Sequence, residues 1–177
     1  KAQLVCVSRH ACVKYYDALN LHMPEVFQEN PIEIKVIYSA DNNDEPYIKD
    51  HRTSKSEQDT ILSRFKREIE KDRLCIIIVK DMLLTGFDAK IEDVMYLDRP
   101  LKEHTLLQAI ARVNRTYDKS YKVIEDGKEI EKSRTKAYGR VVDYFGITRH
   151  LEEALAIFDN ADVGEPMEDI DSLFKKM

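Results

Sequence analysis

Residues 74–79 read Leu-Cys-Ile-Ile-Ile-Val, and Lys-Asp-Met-Leu-Leu-Thr-Gly-Phe-Asp follows directly at 80–88. The first stretch is a continuous β-branched run, which is typical of strands that are covered on both faces. The second stretch is polar at its start and contains a glycine, as loops after strands do. The sequence therefore predicts a central strand of a parallel sheet and a loop at its carboxyl end.

Strands and helices alternate on both sides of this run. Short apolar runs predict further strands at 4–7, 32–37, 93–97 and 138–144. Apolar side chains at helical spacing predict helices at 9–21, at 103–115, at 148–158 and from a capping box at Ser54 and Glu57 through Ile69. This alternation predicts an α/β fold with a mostly parallel sheet and helices on both faces. At 177 residues the chain is expected to form one domain.

The composition excludes several classes of protein. The 28 Lys and Arg are outnumbered by 33 Asp and Glu, so any contact with nucleic acid must be local. Cys6, Cys12 and Cys75 show no metal-ligand spacing and are expected to be buried thiols in a reducing compartment, with no metal site. No apolar run approaches the roughly 18 residues of a membrane span, and the N-terminus lacks a signal-peptide pattern, so we expect a cytoplasmic protein without a membrane partner.

Two segments interrupt the alternation. Residues 117–137 form a polar insert in which Asp126-Gly127 separates two short arms, which predicts a surface hairpin. Residues 161–177 are acidic and aperiodic, which predicts a linker or the start of another region after a domain at 1–160. Lys1 lies immediately before a strand-like run, so we expect the chain to be a piece of a longer protein.

The predicted helix at 103–115 carries a candidate anion site. Gln108, Arg112 and Arg115 recur at i, i+4 and i+7 and are predicted to share one face, opposite Leu106, Ile110 and Val113. Two guanidiniums and an amide on a rigid helix would bind phosphate oxygens well. On spacing alone, an amphipathic surface helix with two ordinary arginines is the better explanation.

The loop at 80–88 is a second candidate. Thr85 and Gly86 offer a hydroxyl and an unshielded backbone N–H that can approach phosphates closely, and Asp88 can accept a ribose hydroxyl. A plain turn, with glycine at positive φ and Asp88 as a local cap, explains the same residues equally well. The loop by itself does not decide between the two interpretations.

Taken together, these segments resemble a known family. Met-Leu-Leu-Thr-Gly-Phe-Asp at 82–88, Tyr-Leu-Asp-Arg-Pro at 96–100 and Gln-Ala-Ile-Ala-Arg-Val-Asn-Arg at 108–115 resemble motifs V and VI of superfamily 2 helicases, in the form used by type I restriction enzyme R subunits. Val-Val-Asp-Tyr-Phe-Gly-Ile at 141–147 resembles the next strand of that family, and the strand ending at Ser8-Arg9 resembles motif IV. The resemblance implies a RecA-like, P-loop NTPase-type helicase C-terminal domain, the second motor domain of a double-stranded DNA translocase.

The resemblance also implies roles for single residues. Arg115 would be the arginine finger that reaches the γ-phosphate of ATP, Arg112 a second phosphate contact, and Gln108 a residue that positions the nucleotide or the attacking water. Gly86 and Asp88 would face the nucleotide. The implied contacts with the DNA backbone are Ser8, Arg9, Thr85 and Gly86. ATP and Mg²⁺ would be held mainly by the first RecA-like domain of the same protein.

The chain lacks a G-x-x-x-x-G-K-[ST] loop, an acidic motif for Mg²⁺ and a nuclease cluster of carboxylates and lysine. We therefore expect the chain alone to be inactive, and its parent to be an ATP-dependent type I site-specific deoxyribonuclease. The implied partners are double-stranded DNA, the first motor domain, and methyltransferase and specificity subunits.

Two alternatives remain open at this point. The same domain occurs in RNA helicases and DNA repair helicases, and a nuclease motif upstream of the first motor domain would distinguish a restriction enzyme from them. The chain could instead be a non-catalytic α/β module that binds a partner through its acidic tail and hairpin insert. Unchanged activity after substitution of Arg112 and Arg115 would favour that second alternative.

Overall fold

The structure is a computed structural model, and it describes residues 1–26, 31–39, 41, 43–84, 86–125 and 128–146. Its strands are β1 (Ala2–Cys6), β2 (Glu33–Ile37), β3 (Leu74–Val79), β4 (Val94–Asp98), β5 (Tyr117–Glu125), β6 (Lys128–Lys136) and β7 (Arg140–Asp143). Its helices are α1 (Arg9–Val26), α2 (Pro46–Lys49), α3 (Lys55–Phe65) and α4 (Glu103–Val113). The predicted helix at 148–158, the predicted linker at 161–177, Thr85 and the turn residues Asp126-Gly127 lie outside the described residues.

Five strands form one sheet in the order β2-β3-β1-β4-β7, and every neighbouring pair in it is parallel. The middle strand is therefore β1. The run at 74–79, predicted to be central, is β3 and lies between β2 and β1. Its register against β2 shifts by one residue at Cys75, a bulge between Leu74 and Ile76. This α/β topology is consistent with a RecA-like fold, as the sequence predicted.

Helices cover both faces of the sheet, which confirms the prediction of a two-sided fold. On one face, α3 and α4 pack on Val5, Ile77 and Met95, which are completely buried. On the other face, α1 and α2 pack on Leu4 and Ile78. Neighbouring residues of one strand enter opposite cores because side chains alternate along a strand. This burial on both sides is the reason why β3 is apolar at every position.

Local chemistry sets the ends of α3. The Ser54 hydroxyl oxygen accepts the Glu57 backbone N–H at 3.3 Å, and Glu57 accepts the Ser54 N–H at 2.6 Å, so the predicted capping box is confirmed. The helix ends at Phe65, and Ile69, predicted on its apolar face, lies beyond it and is partly exposed. The single turn of α2 begins at Pro46 and is too short to show a periodic pattern in the sequence.

The free cysteines follow the sequence prediction in part. Cys6 and Cys12 are buried, and Cys75, at the bulge, is half-buried. A hydrogen bond with Cys12 and burial together raise the pKa of the Cys6 thiol. Both effects keep this thiol protonated and unreactive.

Residues 117–136, for which the sequence predicts a hairpin, form two antiparallel strands that pair from Tyr117 and Lys136 to Glu125 and Lys128. Lys119 and Arg134 are cross-strand partners on one face of this pair. Lys119 forms an ion pair with Glu68, and the Arg134 guanidinium lies 2.7 Å from a Glu70 carboxylate oxygen. The hairpin is therefore held by charge to the turn that precedes β3.

This docking should depend on pH. The Lys119 ammonium lowers the pKa of Glu68 from 4.5 to about 2, so the ion pair stabilises the docked hairpin above the ordinary pKa and is lost as the pH falls towards 2. We expect Lys119→Met to speed amide hydrogen exchange in β5 at neutral pH, and the difference from wild type to shrink in that acidic range. Lys122→Met, which removes an ion pair within the hairpin, is the control. A difference that does not vary with pH would contradict this prediction.

Candidate functional site

The loop that follows β3 is anchored by its apolar side chains. Leu84, Phe87 and Ala89 are buried in the same core as α3 and α4, while Gly86 and Asp88 between them stay exposed. Gly86 adopts a positive φ of 75°, as the interpretation of this loop as a plain turn predicted. The buried anchors fix the exposed residues at defined places along the loop.

Leu83, in the same loop, also has a positive φ, 70°, which is uncommon for a residue with a side chain and costs conformational energy. Its carbonyl oxygen accepts a hydrogen bond from the Arg112 guanidinium. The strained turn is therefore tied directly to α4. Strain of this kind persists only where the surrounding structure holds it in place.

Arg112 lies half-buried on α4, on the side towards this loop. Burial lowers the pKa of its guanidinium, although an arginine in a protein keeps its proton. The opposite side of α4 packs on the sheet through Leu106 and Val113, which are buried as predicted. The amphipathic pattern therefore predicted the packing face of α4 correctly.

Arg115 is not on α4, and the prediction that it shares a helical face with Gln108 and Arg112 is wrong at this position. The helix ends at Val113, with Asn114 as its C-cap. The Lys136 ammonium donates a hydrogen bond to the Val113 carbonyl at 2.8 Å, one of the last four carbonyls of the helix, which have no backbone partner within it. A contact from the hairpin thus satisfies the carbonyl at the end of the helix, two residues before Arg115.

In the turn after α4, the Arg115 guanidinium lies 2.6 Å from a carboxylate oxygen of Asp88, and both side chains are about half exposed, at 48% and 53%. The structure therefore brings Arg112, Arg115 and Asp88 together around one loop, next to Gly86. Gln108 is exposed on α4. Exposed ion pairs contribute about 0–1 kcal/mol, so an incoming phosphate can replace the carboxylate at Arg115.

Ser8 and Arg9 lie at the carboxyl end of β1, the neighbour of β3, and so at the edge where the loop begins. The Ser8 hydroxyl oxygen accepts the Ala11 backbone N–H at 3.0 Å and caps α1. The Arg9 guanidinium donates to the Ser39 carbonyl at 3.2 Å and pairs with Asp44 at 2.8 Å. These contacts shape the edge of the sheet, and contact of either residue with DNA stays a prediction.

Sequence reasoning assigned no role to Arg99, which directly follows β4. Its guanidinium pairs with Asp81 and donates to the Lys80 carbonyl at 3.0 Å, so it ties the end of β4 to the end of β3 across β1. Its place after a strand was the available signal, because ligands of open parallel sheets bind at the carboxyl ends of strands.

Sequence reasoning also missed Lys136 and Glu92. The Lys136 side chain is buried and donates to the carbonyl oxygens of Val113 and Glu92. Glu92 is fully buried, and this burial raises the pKa of its carboxyl to about 7. No sequence pattern marks either residue, because their partners lie far away along the chain.

A cavity of 540 Å³ lies elsewhere, at the amino-terminal ends of the strands, and it contains none of the predicted site residues. Its lining comes from the first residue of the chain, from residues near the starts of β4 and β7, and from the base of the hairpin. Its charged lining residues are mainly cations and none of them belongs to the motifs, so the loop after β3 remains the better candidate. In the described part of the chain, no group of three or more His, Cys, Asp or Glu is arranged to hold a metal ion. No helix within the same residues is long and apolar enough to cross a membrane.

Comparison with known proteins identifies the family. Residues 53–127, which include α3, β3, the loop and α4, match the family described as Type I restriction enzyme subunit R domain 3. The type I restriction enzyme HindI endonuclease subunit of Haemophilus influenzae is 39% identical over 180 residues, which cover 100% of this chain and 16% of that protein. A Methanocaldococcus jannaschii protein provisionally named as the type I restriction enzyme MjaVIIP endonuclease subunit is 34% identical, over 90% of this chain and 14% of its own length.

The type I restriction enzyme SauCOLORF180P endonuclease subunit of Staphylococcus aureus is 27% identical over 85% of this chain and 17% of its own length. The chain thus spans 14% to 17% of the length of these three relatives. The similarity to the Haemophilus protein extends over the whole of this chain, well beyond the two short motifs. This chain belongs to the R subunits of type I restriction enzymes, of which it forms one region.

Proposed function

We propose that this chain is the second RecA-like motor domain of an ATP-dependent double-stranded DNA translocase within a type I restriction enzyme R subunit. The observation that carries the proposal is the joint placement of Arg112 and Arg115 against the loop after β3. Two guanidiniums, an exposed carboxylate and an exposed glycine N–H at one site suit a nucleotide phosphate and its ribose.

In this proposal Arg115 is the arginine finger. Its partner Asp88 is half exposed, so Arg115 can leave it at small cost and reach a γ-phosphate held by the first motor domain. A guanidinium there stabilises the charge that develops on the equatorial oxygens during phosphoryl transfer. Arg112 is held by Leu83 and acts as a fixed second contact, while Gln108 positions the nucleotide or the attacking water.

The other proposed roles follow from position. Gly86 and Asp88 face the nucleotide, and Ser8, Arg9, Thr85 and Gly86 contact the DNA backbone, which fixes position without reading sequence. ATP and Mg²⁺ are held mainly by the first motor domain, so the chain alone is inactive. The parent is an ATP-dependent type I site-specific deoxyribonuclease in the cytoplasm, assembled with methyltransferase and specificity subunits.

Proximity labelling in the full-length R subunit tests the placement of Arg115 directly. An ATP analogue with a thiol-reactive group on its γ-phosphate should label the Arg115→Cys variant, and excess ATP should suppress the labelling. Lys128→Cys, on the exposed hairpin, is the control and should not be labelled. Equal labelling of both variants, or labelling of neither, would remove Arg115 from the ATP site and overturn the proposal.

A further inference from the structure

The end of α4 is capped by a residue from the hairpin. Lys136 is the last residue of β6, and it is only 8% exposed, which is unusual for a lysine. Its ammonium donates to the Val113 carbonyl at 2.8 Å and to the Glu92 carbonyl, which precedes β4. A helix C-terminus carries partial negative charge, so a buried cation at this place stabilises the end of α4.

The chain that leaves the hairpin makes further contacts with the same end of α4. The Gly139 backbone N–H donates to the Asn114 side-chain carbonyl oxygen at 3.2 Å. Gly139 lies so close that a Cβ there would be 2.1 Å from the Val113 carbonyl oxygen. One residue later, the Arg140 N–H donates to the Asp93 carbonyl at 2.8 Å. Lys136 and Gly139 therefore contact the last residues of α4, and Arg140 fixes the same segment to the residue before β4.

A buried carboxyl connects this capping contact to the candidate site. The Glu92 carboxylate is fully buried and makes no hydrogen bond to the part of the chain that the structure describes. The cations that act on it most strongly are Arg112 and Lys136. Both cations lower the pKa of Glu92 against the larger effect of burial, so Lys136 and Arg112 act on the same buried carboxyl.

We propose that Lys136 is a positioning residue for ATP hydrolysis, which fixes Arg112 and Arg115 relative to the loop after β3 by capping α4. Arg115 lies two residues beyond the capped carbonyl, so a shift of this end displaces the finger directly. A misplacement of about 1 Å can cost roughly 10²-fold in rate. The inference rests on the proposed function, because Lys136 would act through Arg112 and Arg115.

The test uses the full-length R subunit with Lys136→Met, which keeps most of the side-chain length and removes the charge. We expect kcat for DNA-stimulated ATP hydrolysis to fall by roughly ten- to a hundredfold, with KM for ATP within about twofold of wild type. Affinity for ADP with aluminium fluoride, a mimic of the transition state, should fall similarly, and affinity for ADP alone should not. Lys132→Met is the matched control, on the same strand and face but exposed, and should behave as wild type.

A second pair of variants keeps the test decisive if Lys136→Met fails to fold. Lys136→Arg retains the charge and should recover most of kcat, and Asn114→Ala removes only the acceptor for Gly139 and should lower kcat mildly. Wild-type kcat in Lys136→Met and Asn114→Ala, or equal losses of affinity for ADP and for the transition-state mimic, would overturn the inference. If Arg115→Ala lowers turnover and these variants do not, only the role of Lys136 fails. If Arg115→Ala is neutral, the proposed function fails with it.

Discussion

Replacement of Arg115 by alanine is expected to lower the turnover of DNA-stimulated ATP hydrolysis in the full-length R subunit by about 10²- to 10³-fold. Arginine fingers of GTPases contribute roughly 10³- to 10⁵-fold, and the estimate here is lower because Arg112 keeps one guanidinium at the site. Arg115 is half exposed and, in the described part of the chain, pairs with one half-exposed carboxylate, so its loss should leave the fold intact. The measurement is steady-state ATPase, with ATP binding and thermal unfolding followed separately.

Two further variants show what kind of contact Arg115 makes. Arg115→Lys keeps the charge and loses the planar fork that binds two phosphate oxygens, so turnover should lie between wild type and Arg115→Ala. Arg140→Ala is the matched control, an exposed arginine in a surface ion pair with Asp93 at 3.0 Å, and should be active. If Arg115→Ala turns over ATP at the wild-type rate while it remains folded, the arginine-finger proposal is wrong.

The strands of this chain could be predicted because their pattern is local. The run at 74–79 is apolar throughout since both faces of β3 are covered, and the structure gives it the same bounds as the sequence did. Helix ends were harder to predict. The helix predicted at 9–21 continues as α1 to Val26, and the helix predicted to reach Arg115 stops at Val113. The carbonyl at this helix end is capped by Lys136, 23 residues away, so a contact that stabilises the end has no local sequence pattern.

The candidate site likewise combines residues that local motifs indicate with contacts between residues far apart in the sequence. Short motifs indicated Arg112, Arg115 and Asp88, and the structure brings these three side chains to one loop. The contacts that hold them there could not be predicted, since Lys136 reaches the Glu92 carbonyl across 44 residues and Glu92 has no motif of its own. Periodicity and motifs report the elements of the site, and long-range hydrogen bonds fix their relative positions.

Gly139→Ala is expected to disturb this arrangement more than any other one-carbon change at a glycine that the structure describes. The added Cβ would lie 2.1 Å from the Val113 carbonyl oxygen, 2.3 Å from its Cγ1 and 2.5 Å from its carbonyl carbon. Two of these atoms are backbone, so no side-chain rotation relieves the overlap, and either α4 or the chain after the hairpin must move. Overpacking of this kind typically costs about 1–3 kcal/mol.

Hydrogen exchange of the α4 amides in the full-length R subunit measures this cost, because exchange reports local opening in a large protein. We expect faster exchange over residues 106–115 in Gly139→Ala, together with lower ATP turnover, since the displaced end of α4 carries Arg112 and leads to Arg115. Gly146→Ala is the control. Gly146 has a φ of 74° and, among the described residues, no atom within 4 Å of where its Cβ would stand, so this change introduces about 1 kcal/mol of backbone strain without a clash against the described part of the chain. Equal protection of the α4 amides from hydrogen exchange in Gly139→Ala and wild type would mean that the residues after the hairpin do not hold the helix. The role proposed for Lys136 would then lose its structural basis.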